Sequence, residues 1–264
     1  MTSDYINMAK NIIDNARRVV IFTGAGISAE SGINTFRDPE SGTWCKKIDM
    51  LLYGTPMGWK IMPQTSWKKY LEFRKPIAIA EPNDAHKAIV KLEKKKNSNI
   101  SIITQNIDGL HQKAGSKLDR VHELHGTVHV HKCINKWHKH PYTTSNKSDS
   151  YNYSEDAFFS ENPSRYPKCR CGSYLRPDAV LFTEQLPVIA YKKALFSVKR
   201  LERGDCMIII GTSGSVYPAA ELVDIAIQKD GIAVIEINTE YSNFSNRVDI
   251  FLGGSASEIL PKII

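Results

Sequence analysis

The chain has 264 residues, of which 42% are hydrophobic and 24% charged, and this suits one globular protein with a sizeable core and a small insertion. The composition excludes collagen and low-complexity disorder. The apolar runs are too short to span a membrane, and the N-terminus lacks the apolar stretch of a signal peptide. The net charge is +7, but much of the basic excess falls in solvated runs such as Lys94–Lys96, which argues against direct nucleic-acid binding.

The five cysteines, an odd number, do not indicate a disulfide framework. Without a secretion signal, we expect a reducing intracellular compartment, with the cytoplasm favoured and the nucleus left open. Cys45 and Cys206 stand alone in the sequence. Cys133, Cys169 and Cys171 fall in one region and need a separate explanation.

Four short runs of β-branched residues predict buried parallel strands. These runs are Val19–Thr23, Ile100–Thr104, Met207–Ile210 and Ala233–Ile237. Apolar residues at helical spacing lie between them, over 6–16 and over 85–92, and Pro218 is predicted to open a further helix. Strands that alternate with helices predict an α/β fold with a Rossmann-like parallel sheet.

The stretch from about residue 132 to residue 168 differs in character, since it is rich in Ser, Asn, Tyr, Lys and His and has little periodicity. Such a stretch inside a compact domain indicates a small module with its own stabilising feature. We therefore predict a Rossmann-like α/β domain formed by residues 1–126 and 175–264, interrupted by a small module over residues 127–174.

Each predicted strand leads into glycine or hydrogen-bonding residues, at the sheet edge where open parallel sheets bind ligands. Residues 24–29 fit the dinucleotide fingerprint G-x-G-x-x-A, in which small residues let free N–H groups approach a pyrophosphate, although a tight turn would show the same pattern. No second strand with an acidic end follows about 20 residues later, which disfavours a dehydrogenase. Instead, residues 31–38 predict a mobile loop that closes over a ligand, with Phe36 as a shield and Arg37 as a charge clamp.

Six short motifs follow one another along most of the chain, from about residue 10 to residue 260. They are Gly24-Ala25-Gly26-Ile27-Ser28, Thr35-Phe36-Arg37, Thr104-Gln105-Asn106-Ile107-Asp108-Gly109-Leu110-His111, Glu123-Leu124-His125-Gly126, Leu175-Arg176-Pro177-Asp178 and Gly211-Thr212-Ser213. In this order they resemble the sirtuin (Sir2) family of NAD-dependent protein-lysine deacylases.

The resemblance implies a reaction in which the acyl oxygen of a modified lysine attacks the ribose carbon that carries nicotinamide. Nicotinamide leaves, a ribose hydroxyl attacks the resulting imidate, and water releases lysine and O-acyl-ADP-ribose. His125 matches the base, and a neutral imidazole with a pKa of about 6.5 suits this role. Asn106 and Asp108 match the catalytic positions that hold the nicotinamide-side ribose and carboxamide. Outside these motifs, all three residues would more often be structural.

The resemblance also implies NAD as cofactor and acylated-lysine proteins or peptides as partners, while the oligomeric state stays open. Asn106 and Asp108 therefore count among the cofactor-binding candidates. The other candidates are Gly24, Ala25, Gly26, Ser28, Phe36, Arg37, Gln105, Ile107, Gly211, Thr212, Ser213, Asn238 and Ala256. Of these, Gly211, Thr212, Ser213 and Asn238 match adenosine and phosphate contacts, and Ala256 lies in a run, residues 254–257, that resembles the segment that meets adenine.

The inserted module resembles the zinc module of the family incompletely. The family arrangement is two C-x-x-C pairs that form a closed tetrahedral site. Here Lys136 stands at the position paired with Cys133, and the second pair is compressed to Cys169-x-Cys171. The candidates for a fourth ligand are His131, His138 and His140. We choose His138 first, and a degenerate module that folds without metal is the alternative.

Two departures from the family pattern bear on the substrate. One departure lies in the segment that, in the family, pairs with the substrate backbone. This segment includes Val180 and the run Phe182-Thr183-Glu184, where the family has Phe-Gly-Glu. Thr183 therefore adds a β-branched side chain that reshapes the peptide groove. Tyr70 matches the tyrosine of the Tyr-x-x-Arg pair found in sirtuins that prefer succinyl- or malonyl-lysine, but Phe73 stands at the arginine position. A neutral acyl group such as acetyl is therefore favoured, because a buried carboxylate needs a paired cation. Two alternatives stay open. In one, a slippage of the helix by one turn brings Arg74 into the acyl pocket. In the other, Tyr70 and Phe73 only pack with Trp67 and play no part in acyl binding.

Two other functions stay open on the sequence alone. A mono-ADP-ribosyltransferase would use nearly the same NAD site, but it has less need of His125. A binding module without catalysis is disfavoured by the presence of Asn106, Asp108 and His125 together.

Overall fold

The computed structural model describes residues 2–34, 53–135 and 165–264. Its helices and strands alternate in the predicted way. In chain order they are α1 (Thr2–Asn15), β1 (Val19–Thr23), a 3₁₀ helix (Ala25–Ser31), α2 (Pro56–Ile61), α3 (Pro63–Ile79), α4 (Asp84–Lys96), a second 3₁₀ helix (Asn97–Asn99), β2 (Ile100–Thr104), α5 (Leu110–Ala114), β3 (Val121–Glu123), β4 (Gly126–Cys133), β5 (Leu175–Ala179), α6 (Val188–Lys199), β6 (Cys206–Ile210), α7 (Glu221–Ile227), β7 (Ala233–Asn238), β8 (Ile250–Gly253) and α8 (Ala256–Ile263).

Six parallel strands form the main sheet, in the order β3-β2-β1-β6-β7-β8. The four predicted strands form its centre, and their bounds agree to within one residue. The edge strands β3 and β8 escape prediction because they have only three and four residues. The strand order reverses between β1 and β6, and an open α/β sheet binds ligands beyond the carboxyl ends of its strands at such a point. The predicted Rossmann-like α/β fold is confirmed.

Alternate residues of the central strands pack on opposite faces of the sheet. Ile21 and Ile208 belong to one buried cluster, which α1, α4 and α8 cover. Phe22 and Ile209 belong to the other cluster, which α6 and α7 cover. Both faces are therefore buried, as a parallel sheet requires. None of the helices in the described ranges has the length and hydrophobicity needed to cross a bilayer.

The predicted helix starts agree in one case and differ in the other. Asn83 caps α4, since its side-chain oxygen accepts hydrogen bonds from the N–H groups of Ala85 and His86 at 3.0 and 3.4 Å. The prediction that Pro218 opens a helix is wrong, because α7 begins only at Glu221. The N–H groups of residues 221–223 donate to carbonyls three positions earlier, so turns with 3₁₀-type bonds precede the α-helix.

A second, two-stranded sheet pairs β4 with β5 in antiparallel fashion. Helices α2 and α3 pack against it through Trp59 and Trp67, and the Trp67 indole N–H donates to the Leu175 carbonyl at 2.7 Å. The small sheet thus includes Leu175–Ala179, beyond the predicted end of the module at residue 174. The division of the chain into the two predicted domains stays a prediction.

A buried pair of histidines lies beside the start of the first 3₁₀ helix. His86 donates from Nδ1 to Asn83 Oδ1 at 3.0 Å, and Asn83 Nδ2 donates to the Ile27 carbonyl at 2.7 Å. The other imidazole, His111, places Nε2 3.0 Å from Thr23 Oγ1, and the two ring centroids are 5.1 Å apart. Burial lowers the pKa of His86 to about 4 and the pKa of His111 well below its usual value.

We expect His86 to make the unfolding free energy depend on pH between its ordinary pKa of 6.5 and its folded pKa of about 4. In this range His86 binds a proton in the unfolded chain but stays neutral in the folded chain, where it is buried. The unfolding free energy therefore falls as the pH falls. The His86→Gln variant should therefore lose less unfolding free energy than the wild type between pH 7 and pH 5. Urea denaturation of both proteins at both pH values measures this, and equal losses would contradict the prediction.

Candidate active site

Two glycine-containing loops meet where the strand order reverses. Gly24 donates its N–H to the Ile210 carbonyl at 2.9 Å, and Gly26 donates to the Gly211 carbonyl at 2.8 Å. A Cβ at Gly24 or Gly26 would lie 2.7 or 2.6 Å from atoms of Gly211 or Thr212. The glycines are therefore required by the contact between the loops. The N–H groups of Gly24 and Gly26 both donate within the protein, so the free N–H groups predicted for a pyrophosphate do not include these two.

A pocket lies between the first 3₁₀ helix, α3 and the loop after β2. Its lining residues are Ala25, Ser28, Ile33, Asn34, Phe73, Ile77, Asn106, Ile107 and Asp108. Polar groups of the 3₁₀ helix and of the loop after β2 share this pocket with aliphatic and aromatic side chains. Mixed polar and apolar walls of this kind are typical of small-molecule sites. Ile33 and Asn34 belong to the ligand-covering loop predicted over residues 31–38, whereas sequence reasoning missed Ile77, whose only signal is its spacing from Phe73.

Asp108 is a buried carboxylate at the floor of this pocket. Ser28 Oγ donates to its Oδ2 at 2.8 Å, and the Leu110 N–H donates to its Oδ1 at 2.9 Å. Burial raises the pKa of Asp108, and these hydrogen bonds oppose the shift. Asn106 Nδ2 donates to Ser28 Oγ and to the Gly24 carbonyl, both at 3.1 Å. A carboxylate that burial penalises in this way favours a positive charge that develops next to it.

The backbone after Asp108 explains the adjoining glycine. Gly109 has φ +73°, and a Cβ there would lie 2.6 Å from His129 Nε2. His129 donates from this nitrogen to the Asp108 carbonyl at 2.8 Å. The contact therefore holds the Asp108 backbone in place from β4. Sequence reasoning missed His129, which no predicted motif includes.

His125 lies between β3 and β4 and is held by a backbone carbonyl. Its Nδ1 lies 2.9 Å from the Gln105 carbonyl oxygen, which can only accept, so Nδ1 carries the proton and Nε2 is the basic nitrogen. Burial lowers the pKa of His125, while the Gln105 contact raises it, and the net direction is down. The imidazole is therefore neutral at pH 7, as a general base needs to be.

The predicted adenosine-side residues lie at the same sheet edge. Gln105 Nε2 donates to Thr212 Oγ1 at 3.0 Å, and Asn238 Nδ2 donates to the Thr212 carbonyl at 2.9 Å. Gly211, with φ +58°, allows the close approach of the glycine loop. Ser213 follows in the same loop and accepts a hydrogen bond from the Asn243 N–H at 3.1 Å.

The C-terminal helix joins this edge through its first turn. Ala256 begins α8 and is buried. The next residue, Ser257, donates its N–H to Glu30 Oε2 at 3.0 Å, and Glu30 belongs to the first 3₁₀ helix. The predicted adenine segment is thus tied to the glycine loop.

The predicted acyl-pocket residues lie on α3. The rings of Tyr70 and Phe73 are 5.9 Å apart, and Phe73 contributes to the pocket that contains Asp108. Arg74 is fully buried and places its guanidinium carbon 5.6 Å from the Tyr70 ring centroid.

The predicted peptide segment runs beside His125. Val180 donates its N–H to the His125 carbonyl at 2.8 Å, and Phe182 donates to the Gly54 carbonyl at 2.9 Å. Phe182 is 42% exposed, and Thr183 is exposed as well. The structure therefore brings the predicted peptide segment and the predicted base together.

Three thiols of the small module also meet. The Sγ atoms of Cys133, Cys169 and Cys171 lie within 4.8 Å of one another, and those of Cys133 and Cys171 are 3.5 Å apart. A tight turn, in which the Cys169 N–H donates to the Ser173 carbonyl at 2.8 Å, allows the compressed C-x-C spacing. A zinc ion with Zn–S bonds of about 2.3 Å separates its sulfur ligands by about 3.8 Å, so the donor set fits a tetrahedral zinc site.

Comparison with known proteins identifies the family. Residues 24–218 match the sequence profile of the Sir2 family. This chain belongs to the Sir2 family. It is 39% identical over 259 residues to an NAD-dependent protein deacylase of Thermococcus kodakarensis, with 97% of this chain and 93% of that protein covered. It is 38% identical over 247 residues to an NAD-dependent protein deacylase of Mycobacterium tuberculosis, with 94% and 96% covered.

Solved Sir2 structures have the same fold. A structure from work on the mechanism and regulation of Sir2 enzymes has a TM-score of 0.80 at 38% identity and covers 99% of this chain and 97% of its own. A Sir2 homologue in complex with NAD has a TM-score of 0.80 at 34% identity, with 97% and 91% covered. A complex of Sir2 with a p53 peptide and NAD+ has a TM-score of 0.76 at 32% identity, with 96% and 94% covered.

Four site candidates predicted from the Sir2 resemblance lie outside the described ranges. They are Phe36, Arg37, His138 and His140. Their roles at the cofactor and at the metal stay predictions, and so does the choice of His138 over His140.

We expect purified protein to contain about one zinc ion per chain, and Cys171→Ser to lower this content and the melting temperature because a thiolate ligand is lost. Cys206→Ala is the matched control, since Cys206 is buried in the main core and lies outside the thiol cluster. Elemental analysis and thermal melting give both quantities. A folded wild-type protein without metal would favour the degenerate module instead.

Proposed function

We propose that this Sir2-family chain removes acyl groups from protein lysines in an NAD-dependent reaction that releases nicotinamide and O-acyl-ADP-ribose. The observation that carries the proposal is that the loop after β2 contains the buried Asp108 carboxylate and also holds the half-buried His125 imidazole through the Gln105 carbonyl. The Asp108 carboxylate lies in the pocket with Asn106, and the neutral His125 lies beside the predicted peptide segment. The relatives named NAD-dependent protein deacylases support the same function.

Asn106 and Asp108 are proposed to act on the nicotinamide side of the cofactor, and His125 is proposed to act beside the peptide segment. When bound, NAD supplies a ribose carbon that becomes electrophilic as its bond to nicotinamide breaks. Asn106 orients the carboxamide and ribose, while the Asp108 carboxylate stabilises the positive charge that develops there. His125 then accepts a proton at Nε2 from a ribose hydroxyl. The Gln105 carbonyl keeps the Nδ1 proton in place, so the imidazole holds one orientation before and after this transfer.

The wall of the pocket supports a neutral acyl substrate. Phe73 and Ile77 are four residues apart on α3 and face the pocket together. Arg74, one residue further along, is not among the lining residues and lies about 100° further round the helix. The wall therefore offers aromatic and aliphatic carbon where a succinyl carboxylate would need a cation. We accordingly propose acetyl or another neutral acyl group as the substrate.

The proposed compartment is reducing, with the cytoplasm as the first choice. The cysteines of the described residues, Cys133, Cys169, Cys171 and Cys206, are free thiols, which supports this choice. Fractionation of cells that express the protein would test it.

For the reaction itself, we expect His125→Ala to lower kcat by at least about 100-fold, because it removes the general base. NAD binding and the melting temperature should stay close to those of the wild type, since His125 Nε2 makes no structural hydrogen bond among the described residues. Mass spectrometry of an acetyl-lysine peptide incubated with and without NAD measures both products.

The pH profile adds a second readout for the same residue. Because burial lowers the pKa of His125 from 6.5, the acid limb of kcat/KM should lie below pH 6.5. Full deacetylation by folded His125→Ala protein would remove the proposed base. ADP-ribose transferred to a protein side chain, without acyl removal, would favour the mono-ADP-ribosyltransferase.

For the acyl preference, we expect Phe73→Arg to raise the ratio of succinyl to acetyl removal by at least about tenfold, because it places a cation in the pocket wall. Phe73→Met is the matched control, which alters the ring but adds no charge. Values of kcat/KM for acetyl- and succinyl-lysine forms of one peptide give the ratio. A wild-type enzyme that already prefers succinyl-lysine would show that another cation, such as Arg74, reaches the substrate.

A further inference from the structure

The peptide segment ends in a strained turn. Thr183 has φ +74°, a conformation that a β-branched residue rarely adopts. The turn is closed by a hydrogen bond from the Glu184 N–H to the Leu181 carbonyl at 3.0 Å. A residue in this conformation persists only where its surroundings hold it there. The contacts around Thr183 should therefore include a group that imposes the turn.

The Glu184 carboxylate is that group. Its Oε2 accepts a hydrogen bond from the Leu181 N–H at 2.9 Å, across the turn that contains Thr183. Its Oε1 accepts a short hydrogen bond from Arg176 Nη2. Arg176 also donates from Nη1 to the Ala179 carbonyl at 2.9 Å, immediately before the peptide segment. The Arg176 guanidinium thus binds the backbone just before the peptide segment, and the Glu184 carboxylate binds the backbone of the turn at its end.

The ion pair is shielded from solvent and anchored in the small sheet. The side chain of Arg176 is 6% exposed and that of Glu184 is 24% exposed, so salt screens the pair only partly. Arg176 pairs with Lys132 across β4 and β5. Lys132 Nζ lies 3.1 Å from Asp178 Oδ1 and 3.9 Å from Glu184 Oε2, and therefore adds a second cation beside the same carboxylate.

We propose that Arg176 and Glu184 form a clamp that holds the segment from Val180 to Thr183 in the shape that binds the acyl-lysine peptide. Both are positioning residues, because they act through the backbone of the segment. This inference rests on the proposed function, which makes the segment the peptide-binding edge. Preorganisation by the clamp lowers the cost of ordering the segment when the peptide binds. A clamp of this kind affects peptide affinity and leaves NAD affinity unchanged.

A double-mutant cycle tests the clamp through the strained residue. Glu184→Ala should raise the KM for a short acetyl-lysine peptide by about tenfold, while the KM for NAD changes by less than about twofold. Thr183→Gly in the Glu184→Ala background should recover most of this loss, because glycine adopts positive φ without an external hold. A residue with a purely structural role would show no such rescue.

Matched controls separate the clamp from general stability. Glu202→Gln removes an exposed ion pair with Arg17, near the start of β6 and away from the site, and should leave both KM values unchanged. Glu184→Gln, which keeps an oxygen for the Leu181 N–H but loses the charge, should give an intermediate peptide KM and serves if Glu184→Ala does not fold. Anisotropy of a labelled acetyl-lysine peptide bound to His125→Ala protein, with and without Glu184→Ala, measures binding apart from turnover.

Two results would overturn the clamp. One is an unchanged peptide KM in folded Glu184 variants of an active enzyme. The other is an equal rise in both KM values that Thr183→Gly does not rescue. Failure of the proposed function would look different, because the wild-type protein itself would then remove no acyl group from any peptide in the presence of NAD.

Discussion

The backbone contact between the loop after β1 and the loop after β6 sets the geometry on which the crevice depends. Gly26 and Gly211 approach so closely that neither tolerates a side chain. This contact places the first 3₁₀ helix against the sheet edge and leaves the Gly24 carbonyl available to Asn106. Ser28, in the same helix, then reaches Asp108. The positions of Asn106, Ser28 and Asp108 in the pocket therefore depend on the close contact between Gly26 and Gly211.

Burial shifts the two central titratable groups in opposite directions, and both shifts favour the neutral form. The pKa of Asp108 is raised and the pKa of His125 is lowered. A carboxylate in this environment is stabilised by a cation that forms beside it, and an imidazole in this environment is ready to accept a proton. The pair is thus suited to a reaction that first develops positive charge and then needs a base.

The small two-stranded sheet connects three features that the sequence places far apart. Strand β4 begins after His125 and ends at Cys133, and β5 begins after the Cys169–Cys171 turn and leads to the peptide segment. Arg176, in β5, reaches Glu184 at the end of that segment. The thiol cluster, the base and the peptide edge therefore share one rigid ribbon. A bound metal would stabilise this ribbon at the end remote from the base.

Local patterns were enough to predict the central strands, the glycine loop and the cysteine group, because β-branched runs, glycine spacing and clustered thiols are visible over a few residues. The edge strands were missed because they have only three and four residues, and the start of α7 was misplaced because turns with 3₁₀-type bonds precede the α-helix. The occupied N–H groups of Gly24 and Gly26 became evident only when β6 lay beside β1. The contact between Thr23 and His111 joins residues 88 positions apart, and the contact between Asn106 and the Gly24 carbonyl joins residues 82 positions apart. Such long-range contacts have no local signature, because packing of distant segments creates them.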